Sequence, residues 1–305
     1  MIWLALLAAL ITAPLLVEAM RKPMGCTARA SAPGQCVALS QGTTHFRWVG
    51  PPQGPVILCI HGLTTPSFVW GALAAGLSQA GFRVLTYDLY GRGFSDRPAG
   101  PQDAAFFLRQ VDDLLVDQDI TAPVTLIGYS MGGAIAAAFA ARHPARVRRL
   151  LLLAPAGMLP VTGGALERLA RLPLFGGWLM LALYPAILRR GLAAERGQPD
   201  SVPEINRQQR RELRWRGFVP AVRASLLGLL SEVLRNTHGI LAQSELPVLA
   251  LWGQEDAVIP LRAADTLQRW NPASQSVVVP GAGHGLPYTH SDAVLAHILR
   301  FLRGD

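Results

Sequence analysis

Short apolar runs recur along the chain without the polar alternation of a half-exposed strand. They are PVILCIHG (55–62), RVLTYDL (83–89), VTLIGYS (124–130), RRLLLLAP (148–155), PVLALWG (247–253) and QSVVVPG (275–281). A strand with one face in water alternates apolar and polar residues. A strand covered on both faces does not, and such strands belong to parallel sheets. Between the runs lie helical patterns near 68–80, 104–118, 131–143, 261–270 and 291–302. A strand–helix rhythm of this kind implies an α/β fold, with a parallel sheet covered by helices on both faces. Thr43 to Val49 does alternate and reads as an early strand. From about 157 to 245 the rhythm stops. That stretch has helical composition, interrupted by prolines and glycines, and contains no convincing strand. At 305 residues, one domain with a helical insertion is the natural organisation.

Ligands in such sheets bind beyond the carboxyl ends of the strands, so the residues there matter most. Gly128-Tyr129-Ser130-Met131-Gly132 sits where one strand hands over to a helix. A sharp strand-to-helix turn would expose the Ser130 hydroxyl above the sheet, and Gly128 and Gly132 would let neighbouring segments come close. The Met131 N–H, at the helix start, would point to where a substrate oxyanion forms. The competing reading of Ser130 is an ordinary helix cap. A serine hydroxyl is a poor nucleophile alone and needs a base nearby. LWGQEDAVIP places Asp256 just after a late strand, and VVVPGAGHGLP places His284 just after the last one. His284 is the expected base, and Asp256 the acid that orients it, with Glu255 as a rival. The loop after PVILCI should supply a second oxyanion donor, the Leu63 N–H, with Gly62 permitting the turn and His61 bridging backbone. His143, His290 and His297 read as surface or packing histidines.

These segments together resemble an α/β-hydrolase carrying a helical cap. The resemblance rests on HGLTTPSFVW, YDLYGRGFSDRP, GYSMGG, GQEDAVIP and GAGH, in family order, and covers roughly 43–303. It implies an eight-stranded, mostly parallel sheet with the cap inserted after the sixth strand. The divisions expected are a hydrophobic anchor over 1–22, a linker over 23–42, a core over 43–156 and 246–305, and a cap over 157–245. The branch most similar is the monoacylglycerol-lipase-like and carbon–carbon hydrolase group, in which Leu63 and Met131 match the oxyanion positions. Dehalogenases and epoxide hydrolases of this superfamily have an aspartate where Ser130 stands. A serine implies acyl transfer through an acyl-enzyme. Asp88, Arg92 and Asp96 are expected to form a structural network beside the site.

Residues 1–17 carry no charged side chain, and Glu18, Arg21 and Lys22 follow. At ~1.5 Å per residue this run spans about 25 Å, a little less than a hydrocarbon core. No Lys or Arg precedes it, and Val17-Glu18-Ala19 is a poor cleavage site, so a signal peptide fits less well than a membrane anchor, spanning or interfacial. Arg21, Lys22 and Arg29 after it would place the rest on the cytoplasmic side; export after cleavage is the alternative. The net charge is +8, but there is no basic block interleaved with aromatics and no nucleic-acid-binding motif, so a nucleic-acid partner is not expected. Cys26, Cys36 and Cys59 show no Cys-x-x-Cys spacing, so a metal site has no support. Cys26 and Cys36 could pair only in an oxidising compartment. No cofactor is expected.

The insertion holds an apolar stretch, LPLFGGWLMLALYPAILRRGL (172–192), and an arginine-dense one, RQQRRELRWRG (207–217). The first reads as the wall of an acyl-chain pocket or as an ordinary packed helix. The expected activity is ester hydrolysis on monoacylglycerol- or lysolipid-like substrates. Hydrolysis of a carbon–carbon bond in vinylogous diketones is the alternative within enzymes. A non-catalytic binding protein on the same fold is the alternative outside them.

Overall fold

The computed structural model describes residues 1–159, 165–195, 197–198 and 200–304. Helix α1 (Ile2–Met20) and a single turn, α2 (Cys26–Arg29), come first. The sheet then begins with β1 (Gln35–Leu39) and β2 (Gly42–Val49). The alternating part follows as β3 (Val56–Ile60), α3 (Gly71–Gln79), β4 (Arg83–Tyr87), α4 (Ala104–Asp117), β5 (Val124–Tyr129), α5 (Met131–Arg142) and β6 (Val147–Leu153). Next come α6 (Ala165–Arg171), α7 (Gly176–Ala194), α8 (Ile205–Glu212), α9 (Phe218–Leu227) and α10 (Arg235–Ala242), with no strand among the described residues of this stretch. The chain closes with β7 (Val248–Gly253), α11 (Arg262–Trp270), β8 (Gln275–Val279), α12 (Leu286–Thr289) and α13 (Ser291–Arg303).

The eight strands form one sheet in the order β1-β2-β4-β3-β5-β6-β7-β8. β1 pairs with β2, and β2 with β4, antiparallel; the remaining pairings are parallel. Successive residues of a strand face opposite sides, and both sides are apolar here. Leu126 of β5, Leu58 of β3 and Leu150 of β6 join one buried cluster, with α4 and α5. Their neighbours Ile127, Ile57 and Leu151 join a second, with α3 and α13. This double coverage is why the inner runs show no alternation; β8, at the sheet edge, is mostly exposed.

One expected boundary is corrected. The 23–42 stretch is not a plain linker: it contains α2 and β1, and β1 pairs with β2 from Gln35 opposite Phe46 to Leu39 opposite Gly42. β1 is an edge strand with no buried residue. Its sequence, QCVAL, therefore lacks the apolar signature of the inner strands. Cys26, Cys36 and Cys59 are all free thiols.

In the helical stretch, α9 packs on the loop after β4, where Ser225 meets Arg92, and α10 packs on α5 and α11. Met180 and Tyr184 of α7, and Phe218, Val219 and Val222 of α9, enter the same cluster as α5 and β5. His238 on α10 is wholly buried, stacked on Trp270 with ring centroids 6.3 Å apart. Neither of its ring nitrogens has a hydrogen-bond partner among the described residues. Burial pushes its pKa from 6.5 down to about 4. Between those values the unfolded chain binds the proton and the folded one does not, so this group makes stability fall as pH drops from about 6.5 to about 4. His238→Phe keeps a ring on Trp270 and removes the unpartnered nitrogens. It is expected to stabilise the fold by about 1–3 kcal/mol, with the gain over wild type in thermal melts widening as the pH is lowered through that window.

Candidate active site

Ser130 joins β5 to α5 with φ 54° and ψ −118°, a conformation costly for a residue with a side chain. The surroundings over-determine it. Its N–H donates to the Leu153 carbonyl at 2.9 Å, and its own carbonyl accepts from Gly133 at 2.9 Å and Ala156 at 3.0 Å. The turn is so tight that a Cβ on Gly128 would lie 2.3 Å from the Gly132 carbonyl oxygen. A Cβ on Gly132 would lie 2.0 Å from that of Ile60. Only glycine fits either place. The hydroxyl is thus held clear of the sheet's carboxyl edge, and Ser130 makes no side-chain capping bond to α5.

His284 and Asp256 arrive from the loops after β8 and β7. These loops pass closely: a Cβ on Gly253 would be 2.5 Å from the Ala282 and Gly283 carbonyls. His284 Nε2 lies 3.0 Å from Ser130 Oγ, and its Nδ1 lies 2.8 Å from Asp256 Oδ2. The Asp256 side chain is fully buried, and its other oxygen accepts the Val258 and Ile259 N–H groups, both at 2.8 Å. With only lone pairs facing Nδ1, the carboxylate requires that nitrogen to carry the proton. Nε2 is then left as acceptor for the serine hydroxyl. Glu255, the rival acid, is exposed, and its backbone N–H bonds to Ala282. Asp256→Asn is expected to cut turnover strongly, up to about 10⁴-fold, because an amide favours the wrong tautomer. Glu255→Gln should leave steady-state rates nearly unchanged; the reverse ranking would refute the choice of acid.

The Leu63 loop reaches the same spot. A Cβ on Gly62 would sit 3.2 Å from Ser130 Cβ. Among the described residues, neither the Leu63 N–H nor the Met131 N–H donates to a backbone or side-chain acceptor. His61 bridges backbone as expected: Nδ1 donates to the Gly62 carbonyl at 2.7 Å, and Nε2 accepts the Leu89 N–H at 2.8 Å. Asp88 accepts from His45, Ser67 and Phe94, and Asp96 from Thr43 and Arg29, so both are absorbed by structural bonds.

Two features escaped the sequence reading. Tyr129 donates its hydroxyl to the His284 carbonyl at 3.0 Å, tying the histidine loop to the serine turn. Its place beside Ser130 was the one available signal. Glu195, just after α7, lies near enough to His284 to feel its charge, and burial raises its carboxyl pKa. The apolar 172–192 stretch lines a cavity of about 720 Å³ with Ile11 and Leu15 of α1, and that lining does not include Ser130, Asp256 or His284. Among the described residues no cluster of His, Cys, Asp and Glu has the arrangement of a metal site.

A family model described as the alpha/beta hydrolase fold matches residues 55–291. The chain belongs to the α/β-hydrolase family. Among its relatives, 2-hydroxymuconate semialdehyde hydrolase of Pseudomonas putida is 30% identical over 266 residues, spanning 82% of this chain and 88% of that one. The pimeloyl-[acyl-carrier protein] methyl ester esterase of Aliivibrio salmonicida is 27% identical over 267 residues, spanning 86% and 98%. Of solved structures, a thermophilic esterase from Thermogutta terrifontis superimposes with TM-score 0.70 at 25% identity, covering 90% of this chain and 99% of that one. This α/β-hydrolase is thus similar, over 82% to 90% of its length, to proteins named as an esterase, a methyl ester esterase and a 2-hydroxymuconate semialdehyde hydrolase.

Proposed function

We propose that this α/β-hydrolase is a serine esterase acting through an acyl-enzyme on monoacylglycerol- or lysolipid-like esters at a membrane. The observation that carries the reading is the unbroken hydrogen-bond chain from Ser130 through His284 to Asp256. As His284 Nε2 takes the hydroxyl proton, Oγ adds to the ester carbonyl carbon. The carbonyl oxygen becomes an oxyanion between the Leu63 and Met131 N–H groups. His284 then gives its proton to the departing alkoxide, the C–O bond breaks, and an acyl ester remains on Ser130. Water repeats the cycle: His284 removes its proton, hydroxide adds to the acyl carbon, and Oγ leaves with the proton returned. The carboxylate of Asp256 stabilises the imidazolium in both halves.

The division into a core over 43–156 and 246–305 and a cap over 157–245 belongs to the same proposal, as does an anchor over 1–22 facing a cytoplasmic catalytic domain. α1 supports the anchor, with a mean hydropathy of 2.1 and none of its described side chains buried. Removing residues 1–22 is expected to abolish sedimentation with membranes and to spare hydrolysis of short soluble esters. Loss of that hydrolysis would show that α1 does more than anchor.

A fluorophosphonate probe tests the central claim, since it reacts only with an activated serine. Labelling of the wild type and none of Ser130→Ala supports it, and a folded wild type that stays unlabelled refutes it, leaving a binding protein on a hydrolase fold. The Pseudomonas relative favours a second reading, cleavage of a carbon–carbon bond in a vinylogous diketone. A p-nitrophenyl ester series of increasing acyl length, run beside a ring-cleavage product, separates the two.

A further inference from the structure

α1 does not stand free of the rest. Its carboxyl end is strapped to the turn between α8 and α9: Glu18 accepts the Gly217 N–H at 2.6 Å, and the Lys22 N–H donates to the Arg214 carbonyl at 3.1 Å. Half-way along, the Trp178 indole of α7 donates to the Ile11 carbonyl at 2.7 Å. Ile11 and Leu15 share their cavity with Leu174, Phe175 and Trp178. The corner between α6 and α7 is therefore level with the middle of α1.

That level has a consequence in a bilayer. α1 has 19 residues, about 28 Å at ~1.5 Å each, which nearly matches a hydrocarbon core of about 30 Å. With α1 in lipid over its length, anything docked at Ile11 lies inside the acyl-chain layer. The corner is built for such a place and poorly for water. Leu174 is 95% exposed and Phe175 65%, Leu172 is exposed beside them, and Leu183 and Ile187 are exposed further along α7. Contiguous exposed apolar side chains of this size mark an interaction surface. Exposed arginines flank it: Arg168 and Arg171 before it, Arg189 and Arg190 after it. Their long stems let the guanidiniums reach headgroups while the stems stay in apolar surroundings. Cationic groups at that border suit an anionic lipid surface.

We propose that the α6–α7 corner is a second membrane-insertion element, entering the acyl-chain layer of an anionic leaflet beside α1. The occupant of the exposed face is lipid, and acyl chains of that leaflet fill the cavity between α1 and α7. The inserted stretch is then held by three separate pieces of chain, 1–20, 172–175 and the first turns of α7, rather than by a flexible tether. Ser130, at the sheet edge beneath the insertion, is kept at a fixed height above the leaflet. The inference rests on the membrane association proposed above and adds the depth of the cap corner to it.

The test uses the full chain and vesicles of a neutral lipid with a quarter of phosphatidylserine. In a Cys26→Ser/Cys36→Ser background, an environment-sensitive fluorophore is attached to Leu174→Cys or to Leu10→Cys. Quenching by lipids brominated along the acyl chain is expected at both positions. In parallel, Leu174→Glu/Phe175→Glu should reduce the fraction floating with vesicles at least tenfold and leave hydrolysis of a soluble short ester unchanged. Quenching at position 10 but not at 174, or flotation of the double variant equal to wild type, overturns the proposal and leaves α1 as a lone anchor. Failure of the unsubstituted chain to float removes membrane association itself, and the corner's role with it.

Discussion

Ser130→Ala and His284→Ala are each expected to lower kcat on a short soluble ester by roughly 10⁴- to 10⁶-fold. The size follows from the geometry. Among the described residues, Ser130 Oγ is the group hydrogen-bonded to His284 Nε2, at 3.0 Å, and a serine without a base is almost wholly protonated at neutral pH. The two groups act as one unit, so the double variant should be little slower than either single one. Folding should survive in both, because the bonds that hold the turn are made by the Ser130 backbone and not by its side chain. Unchanged circular dichroism and melting, with turnover lost, is the expected pair of results. A His284→Ala variant that keeps a tenth of the activity would mean that some other group takes the serine proton, and the proposed relay would be wrong.

What was legible before any coordinates follows from burial. β3, β5, β6 and β7 are covered on both faces over most of their length, and apart from Thr125, Arg148 and Arg149 their residues are largely apolar, so each could be placed from composition. Ser130 and Asp256 were legible for a related reason, since they follow β5 and β7 at the sheet's carboxyl edge; His284 follows β8, an edge strand whose apolar VVV run marked it although it is mostly exposed. β1 was not, because an edge strand paired on one side needs no apolar face. The contacts that join the insertion to the rest were invisible. Trp178 meets Ile11 across 167 residues, and Arg92 meets Ser225 across 133. Periodicity reports which face of an element is buried, not which distant residue lies against it. The polar residues in YDLYGRGFSDRP could be read as a network, but the destination of each bond could not.

Arg92 is the member of that network whose loss should reach the chemistry. It is fully buried, and its nearest partners are neutral. Nε donates to the Leu63 carbonyl at 3.1 Å, Nη1 to the Tyr90 carbonyl at 2.9 Å and Gln102 Oε1 at 2.6 Å, and Nη2 to Ser225 Oγ at 2.7 Å. Burial pushes its pKa down to about 9. Ser225 lies on α9, so one guanidinium grips both the insertion and the loop that carries Leu63. His61 holds the other side of that residue. The Gly62 carbonyl it binds belongs to the same peptide plane as the Leu63 N–H, so the direction of that N–H is set by His61 before the residue and Arg92 after it. Burial lowers the His61 pKa to about 4, and its protonation would cost the bond accepted from Leu89. Arg92→Leu takes the guanidinium donor from the Leu63 and Tyr90 carbonyls and from Ser225 Oγ, while Gln102 Oε1 keeps the bond from the Ser225 hydroxyl. It is expected to cost about 3 kcal/mol or more of stability. If Leu63 is an oxyanion donor, kcat should fall about 10²- to 10³-fold, the usual cost of losing one. Ser225→Ala removes the bond from Arg92 and the one to Gln102 but leaves Arg92 its Leu63, Tyr90 and Gln102 acceptors and the Ala221 carbonyl on α9, so it should fold normally with a smaller loss of kcat. Because the oxyanion exists only after Oγ has added, KM for a short ester should hardly move, and the rate of fluorophosphonate labelling should fall with kcat. Loss of stability alone, with kcat intact in the fraction that stays folded, would make Arg92 a clamp on the fold with no hold on the oxyanion site.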